Sequence, residues 1–176
     1  MAYVDLIGAI HRSTPRDYLK ERVLGVDKAA CAEIAKRFDK DYWDGDRKYG
    51  YGGYRYDGRW HKLAQDLVDR YGLKPGHKVL DIGCGKGFLL YDLTQCVPGL
   101  EIAGLDISSY AIENAKEEVK KFLTIGSAVK LPYPDRAFDC ILSINALHNL
   151  FNYDLDQALK EIERVGKNNK KYIVVD

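Results

Sequence analysis

The chain lacks a surplus of charge of either sign. Its 176 residues carry 27 Lys plus Arg against 26 Asp plus Glu, a net charge of +1. Proteins that grip the phosphate backbone of nucleic acid usually carry a strong basic excess, so no nucleic-acid partner is expected. Long apolar runs are also missing. No segment approaches the roughly 20 apolar residues that a membrane helix needs, so no membrane partner is expected. The N-terminus, Met1-Ala2-Tyr3-Val4-Asp5-Leu6, has no basic stretch followed by a long apolar one, and so no visible secretory signal. The four cysteines, Cys31, Cys84, Cys96 and Cys140, form no CxxC pair and no Cys/His cluster, which argues against zinc. Scattered single thiols suit a reducing compartment, and the cytoplasm is the expected location.

What is present is a length suited to one domain with an N-terminal extension. Thr14-Pro15 reads as a helix start, with apolar positions at helical spacing to Leu24. Asp27 reads as the cap of a second helix, with Cys31, Ile34, Ala35 and Phe38 on one face. Asp39 to Gly58 then holds five tyrosines, one tryptophan and five glycines with no helical or strand period. A loop of that length is often a lid or a binding loop; the plain alternative is a loop packed on the surface. Residues 1–58 are therefore read as N-terminal helices and a Tyr/Gly-rich lid segment.

Regular alternation begins at Arg59. A helix through Trp60, Leu63, Ala64, Leu67 and Tyr71 ends at Gly72. Strands follow at Lys78–Ile82, Leu100–Leu105, Leu123–Ile125, Phe138–Ile144 and Tyr172–Val175. Helices fall at Phe88–Cys96, after Ser108 (with Ile112, Ala115, Val119 and Phe122 on one face) and after a capping box at Asp154-x-x-Gln157. Gly166 to Lys171 reads as a polar turn. This order predicts an α/β fold, a Rossmann-like doubly wound and mostly parallel sheet over 59–176, with an N-terminal helical extension. Ligands of such sheets bind beyond the carboxyl ends of the strands.

The chemistry gathers at those ends. After the first strand stands Asp81-Ile82-Gly83-Cys84-Gly85-Lys86-Gly87. Its alternating glycines let the backbone turn sharply and let a ligand come close. The pattern is G-x-G-x-G, and Phe88 fills the last position of the dinucleotide fingerprint, which weakens that reading. No Gly-Lys-Ser/Thr follows, so this is no P-loop. Asp81 would repel a pyrophosphate and suits a cationic ligand such as an ammonium or a sulfonium. The second strand ends in Asp106, 23 positions after Gly83, where an acid can accept hydrogen bonds from ribose hydroxyls. Its alternative role as a helix cap is better filled by Ser108.

VLDIGCGKGFLL (Val79–Leu90), GLDIS (Gly104–Ser108) and AVKLPYPDRAFDCILSINALHNL (Ala128–Leu150) together resemble the class I S-adenosylmethionine-dependent methyltransferases, in the small-molecule type with a DxGCGxG motif. The likeness spans about two-thirds of the chain, from Arg59 to Asp176. It implies S-adenosylmethionine as cofactor, S-adenosylhomocysteine as product, and an O, N or C nucleophile of a small molecule as methyl acceptor. By position, Asp81, Gly83, Cys84, Gly85 and Gly87 would surround the methionine part of the cofactor. Asp106 would hold the ribose and Ile107 would pack on the adenine. Ser127-Ala128 stands where the family often has Asp-Ala. Asn145 would face the cofactor through its backbone. His148 would lie near the methyl group as a general base, a lining residue of the acceptor pocket, or a packing residue. Tyr54 and Arg59 would join the site if Tyr49–Arg59 closed over the cofactor, with tyrosine rings near the sulfonium and Arg59 on the carboxylate.

The family sheet usually has seven strands, and this sequence stops at Asp176, after the fifth. The C-terminal strands are thus expected to be absent from this chain. An open edge of sequence YIVV is an aggregation hazard, so a homodimer or a partner chain is expected to cover Tyr172–Val175. A second reading is a cofactor-binding module without its own turnover, acting as a regulatory or scaffold partner. A nicotinamide dehydrogenase is a third, disfavoured by Asp81 and the glycine spacing. Lys116, Lys120 and Lys121, interleaved with Glu113, Glu117 and Glu118, read as a solvated face.

Overall fold

Strands covered on both faces are largely apolar, as Phe138–Ile144 is in the interior of the sheet. The structure, a computed structural model, describes Leu6, Gly8 and residues 27–175. The helix expected after Thr14 lies outside the described residues. One unit ends at Arg59 and a second begins at Trp60.

In the first unit Asp27 caps helix α1 (Lys28–Ala35), accepting from the N–H groups of Ala29 and Ala30. Cys31, Ile34, Ala35 and Phe38 are half-buried, while residues between them are exposed. The aromatic segment is not an unstructured loop. Asp39 caps a short helix, α2 (Lys40–Asp44), that carries Trp43. Tyr51 stacks on the Trp43 ring at 5.2 Å, and Tyr42 and Tyr54 pack around the same ring. The N–H groups of Gly53 and Tyr54 donate to the Trp43 carbonyl, and Tyr51 N–H donates to Tyr42. Aromatic contact and backbone pairing replace the periodicity that sequence reading looks for.

In the second unit α3 (Trp60–Tyr71) buries Leu63, Ala64 and Leu67. Then come β1 (Lys78–Ile82), α4 (Phe88–Cys96), β2 (Glu101–Asp106), α5 (Ser109–Glu113), α6 (Glu117–Lys120), β3 (Leu123–Ile125), β4 (Phe138–Ile144), α7 (Asn152–Val165) and β5 (Gly166–Val175). The five strands are all parallel, in the order β3-β2-β1-β4-β5. One sheet face packs Leu80, Ile82, Leu105, Phe138 and Ile141 against Ala158, Ile162 and Val165 of α7. Leu90 of α4 lies on the other face, against Gly104. Helices thus cover both faces, and the strand order reverses between β1 and β4.

Four expectations are corrected. The helix after Ser108 is two short ones, because Lys116 is extended and donates its N–H to the Lys86 carbonyl. Phe122 is consequently exposed. Helix α7 starts at Asn152 with no side-chain cap, which leaves Asp154 in the first turn rather than at a capping box. The segment Gly166–Lys171 is not a turn but the start of β5, which pairs with β4 through an irregular register. Lys167 meets Asp139 at 2.7 Å, and Lys170 meets Glu163 at 2.6 Å. Among the described residues no helix is long and apolar enough to cross a membrane.

Candidate functional site

The turn after β1 is shaped by a close approach. Gly83 has φ +81°, and a Cβ placed on it would fall less than 3.0 Å from the Cβ of Ala146, just past β4. Only glycine relieves both constraints. Gly83 is exposed, between buried Ile82 and Cys84. Its N–H and that of Cys84 both donate to the Leu105 carbonyl. Gly85 is buried, and Gly87 forms the left-handed entry to α4. The exposed turn therefore sits where β1, β2 and β4 end, at the reversal of strand order.

Two buried carboxylates stand behind it. Asp81 is 4% exposed and Asp106 is 7% exposed. Asp106 accepts from the Gly85 N–H at 2.7 Å and from the Ser108 N–H at 2.9 Å. Ser108 is the actual helix cap, with Oγ accepting from Ala111 N–H. Burial raises Asp106 above the usual carboxylate range, opposed by these N–H bonds. Burial, and secondly the charge of Asp106, push Asp81 up to about 7. The Cys84 thiol is likewise driven upward, first by burial and then by Asp81 and Asp106.

The remaining predicted residues of this unit lie at strand ends. Ile107 follows β2 and is 62% exposed, unusual for an isoleucine beside buried Asp106 and Ser108. Ser127 and Ala128 follow β3. Ala128 is buried, and Ser127 Oγ accepts from Val129 N–H at 3.4 Å. Asn145 follows β4 with φ +53°, and its N–H donates to the Val175 carbonyl at 2.6 Å. His148 is exposed on a 3₁₀ turn, Leu147–Asn149. Tyr54 and Arg59 belong to the first unit. Tyr54 packs on Trp43 and Tyr51, and the Arg59 guanidinium is paired with Asp57.

Compared with known protein families, residues 80–174 match the methyltransferase domain, just over half of the chain. The chain belongs to the class I S-adenosylmethionine-dependent methyltransferases. Demethylmenaquinone methyltransferase of Symbiobacterium thermophilum is 32% identical over 127 residues, covering 68% of this chain and 50% of the relative. Sterol 24-C-methyltransferase ERG6B of Gibberella zeae is 34% identical over 114 residues, 61% of this chain and 28% of its own. Among solved structures, the PH0226 protein of Pyrococcus horikoshii superposes with a TM-score of 0.60 at 29% identity, covering 77% of this chain and 61% of that one. The chain spans about half the length of the first of these relatives.

Two features of this candidate site escape a sequence reading. Ala146 looks like any small residue, yet it is the partner that Gly83 must accommodate. Lys86, within the glycine turn, looks like a surface lysine. It is 5% exposed, with Nζ 5.8 Å over the Tyr110 ring. The alternation of glycines around a lysine gives no sign of its direction.

Proposed function

We propose that the chain binds S-adenosylmethionine at the ends of β1, β2 and β4 and transfers its methyl group to a small apolar molecule. The observation that carries this reading is the Asp106 carboxylate, tied to the glycine turn and followed by exposed Ile107. When bound, the cofactor supplies an electrophilic methyl group on a positively charged sulfur. Asp106 would accept from the ribose hydroxyls with the lone pairs that Gly85 and Ser108 leave. Ile107 would cover one face of the adenine, and Ser127 Oγ would meet its edge. The exposed backbone of Gly83 would receive the methionine part, with Asp81 supplying negative charge below it. Cys84, Gly85 and Gly87 would complete the turn around the methionine part, buried Ala128 would stand beside Ser127, and Asn145, just past β4, would face the cofactor through its backbone. His148 would take a proton from the acceptor where its nucleophile carries one. Positioning and exclusion of water supply most of the acceleration when the nucleophile is already good.

The menaquinone and sterol named in the relatives point to an apolar acceptor, and the 24-C in the sterol relative's name points to a carbon nucleophile. Four free thiols agree with a cytoplasmic location. The long edge of β5, with Tyr172 and Val174 exposed, suits cover by a second copy or a partner chain.

Calorimetric titration with S-adenosylmethionine, S-adenosylhomocysteine and NAD tests the site. Saturable binding of the first two only, weakened at least tenfold by Asp106→Ala, is expected. Transfer of labelled methyl to a demethylmenaquinone or a sterol then tests the activity. Binding without transfer to any acceptor would leave a cofactor-binding module in its place. A His148→Ala enzyme with undiminished turnover would remove the base.

A further inference from the structure

We propose that the free chain holds one proton between the carboxylates of Asp81 and Asp106, and that S-adenosylmethionine expels it on binding, so that this pair sets the preference for the sulfonium cofactor over its neutral thioether product. The inference rests on the proposed function and adds a proton to its binding step.

The geometry begins with strand register. β1 pairs with β2 so that Asp81 faces Gly104 and Ile82 faces Leu105. Residues two apart on a strand share a face. Asp81 and Asp106 therefore project from the same face of neighbouring strands, and the residue opposite Asp81 has no side chain to separate them. A Cβ on Gly104 would fall 2.5 Å from Leu123 Cδ2, 2.8 Å from Cys84 Sγ and 2.9 Å from Leu90 Cδ1, so the space around the pair is closed by a thiol and two leucines. Both carboxylates are more than nine-tenths buried. Two like charges in such a site do not ionise together cheaply.

The surrounding groups leave the proton on this pair. Asp106 already accepts two backbone N–H bonds, which favour its charged form. Cys84 in the turn and Cys140 on β4 are thiols that burial keeps neutral, the latter pushed up to about 12. Lys86 of the turn sends its ammonium over the Tyr110 ring. Asp92 is the only charged residue of α4, and its carboxylate stands 3.9 Å from His61 Nδ1. On β3, Leu123 and Ile125, which face Gly104 and Asp106, are apolar.

The two ligands share their ribose, amino and carboxyl groups and differ by the charge on sulfur. A positive sulfur beside the pair favours the doubly ionised form, and the proton leaves as an acid O–H breaks and the buffer takes it up. A neutral thioether supplies no such drive, so the product leaves the proton largely in place.

The test is calorimetry on the whole chain at pH 6.5, in buffers that differ in heat of ionisation. The slope of observed heat against buffer heat counts protons. With S-adenosylmethionine a release of about half to one proton is expected by linkage, with less for S-adenosylhomocysteine. Affinity for S-adenosylmethionine should rise about tenfold from pH 6 to pH 8, and that for the product less than about threefold. Asp81→Asn should lose the excess release. The ligand's amino group titrates alike in both proteins, so their difference counts the carboxylates. Should that variant not fold, Asp106→Asn removes the same pair and is held to the same result. Equal release with both ligands, or a release that survives Asp81→Asn, would overturn the inference and leave the cofactor site standing. Failure of either ligand to bind would overturn both.

Discussion

Replacing Gly83 by alanine puts a methyl group against Ala146 in a backbone that already disfavours it. The φ of +81° alone costs alanine about 1–2 kcal/mol. The added Cβ falls less than 3.0 Å from the Ala146 Cβ, and forcing a carbon into packed space costs about 1–3 kcal/mol more. The sum, about 2–5 kcal/mol, corresponds to a fall in Tm on the order of 10 °C. The two parts are separable. Gly72 has φ +65° and nothing within 4 Å of a Cβ, so Gly72→Ala should show the backbone cost alone. Ala146→Gly opens the space that Gly83→Ala needs, and the double variant should recover about 1–3 kcal/mol, the packing part. Urea denaturation of the four members of that cycle measures the coupling. A coupling within error of zero, or Gly72→Ala as damaging as Gly83→Ala, would refute the close approach of the β1 and β4 loops.

Asp81 weighs on stability with a definite sign. Its carboxyl holds a proton up to about 7 in the folded chain against 3.8 unfolded, so the stability present below about pH 4 is lost as pH rises through 7. Asp81→Asn should accordingly stabilise the free chain by about 4 kcal/mol more at pH 8 than at pH 4, read by urea denaturation; an equal effect at both would contradict it. Thiol labelling of the native chain should modify Cys31 and Cys96 quickly and leave Cys84 and Cys140 until unfolding, because the latter two are buried with raised thiols. Four thiols labelled at one rate would contradict that burial. Arg164 donates to the carbonyls of Leu131 and Tyr133 and to Glu161 and Asp135. Arg164→Ala should cost about 1–3 kcal/mol. Lysine should not restore it, since an ammonium lacks the planar fork. Full rescue by lysine would assign the effect to charge alone.

Much of the architecture is readable where one interaction dominates. Strand β4 appears at Phe138–Ile144 as expected, because a parallel strand buried on both faces needs an apolar run that little else in a soluble chain resembles. Asp27 and Ser108 cap their helices as expected, since the bond from a side chain to an N–H two or three residues on is local. The helix after Ser108 is different. Its apolar spacing is continuous, but Lys116 turns away to bond the Lys86 carbonyl thirty residues back, and no local period carries that instruction. The Tyr/Gly segment fails for the same reason: its order comes from rings around Trp43 rather than from spacing.

The site divides along the same line. From its own residues the chain determines a glycine turn after the first strand, acids at Asp81 and Asp106, and a parallel sheet that brings strand ends together. These follow from backbone freedom, charge and the two-residue period of strands, all local properties. Tertiary structure alone decided that Gly104 leaves Asp81 and Asp106 sharing one buried space, that Ala146 presses on Gly83, and that Lys86 turns inward over Tyr110. Each depends on the register of a strand or loop distant in the chain, and register emerges only when the whole core packs.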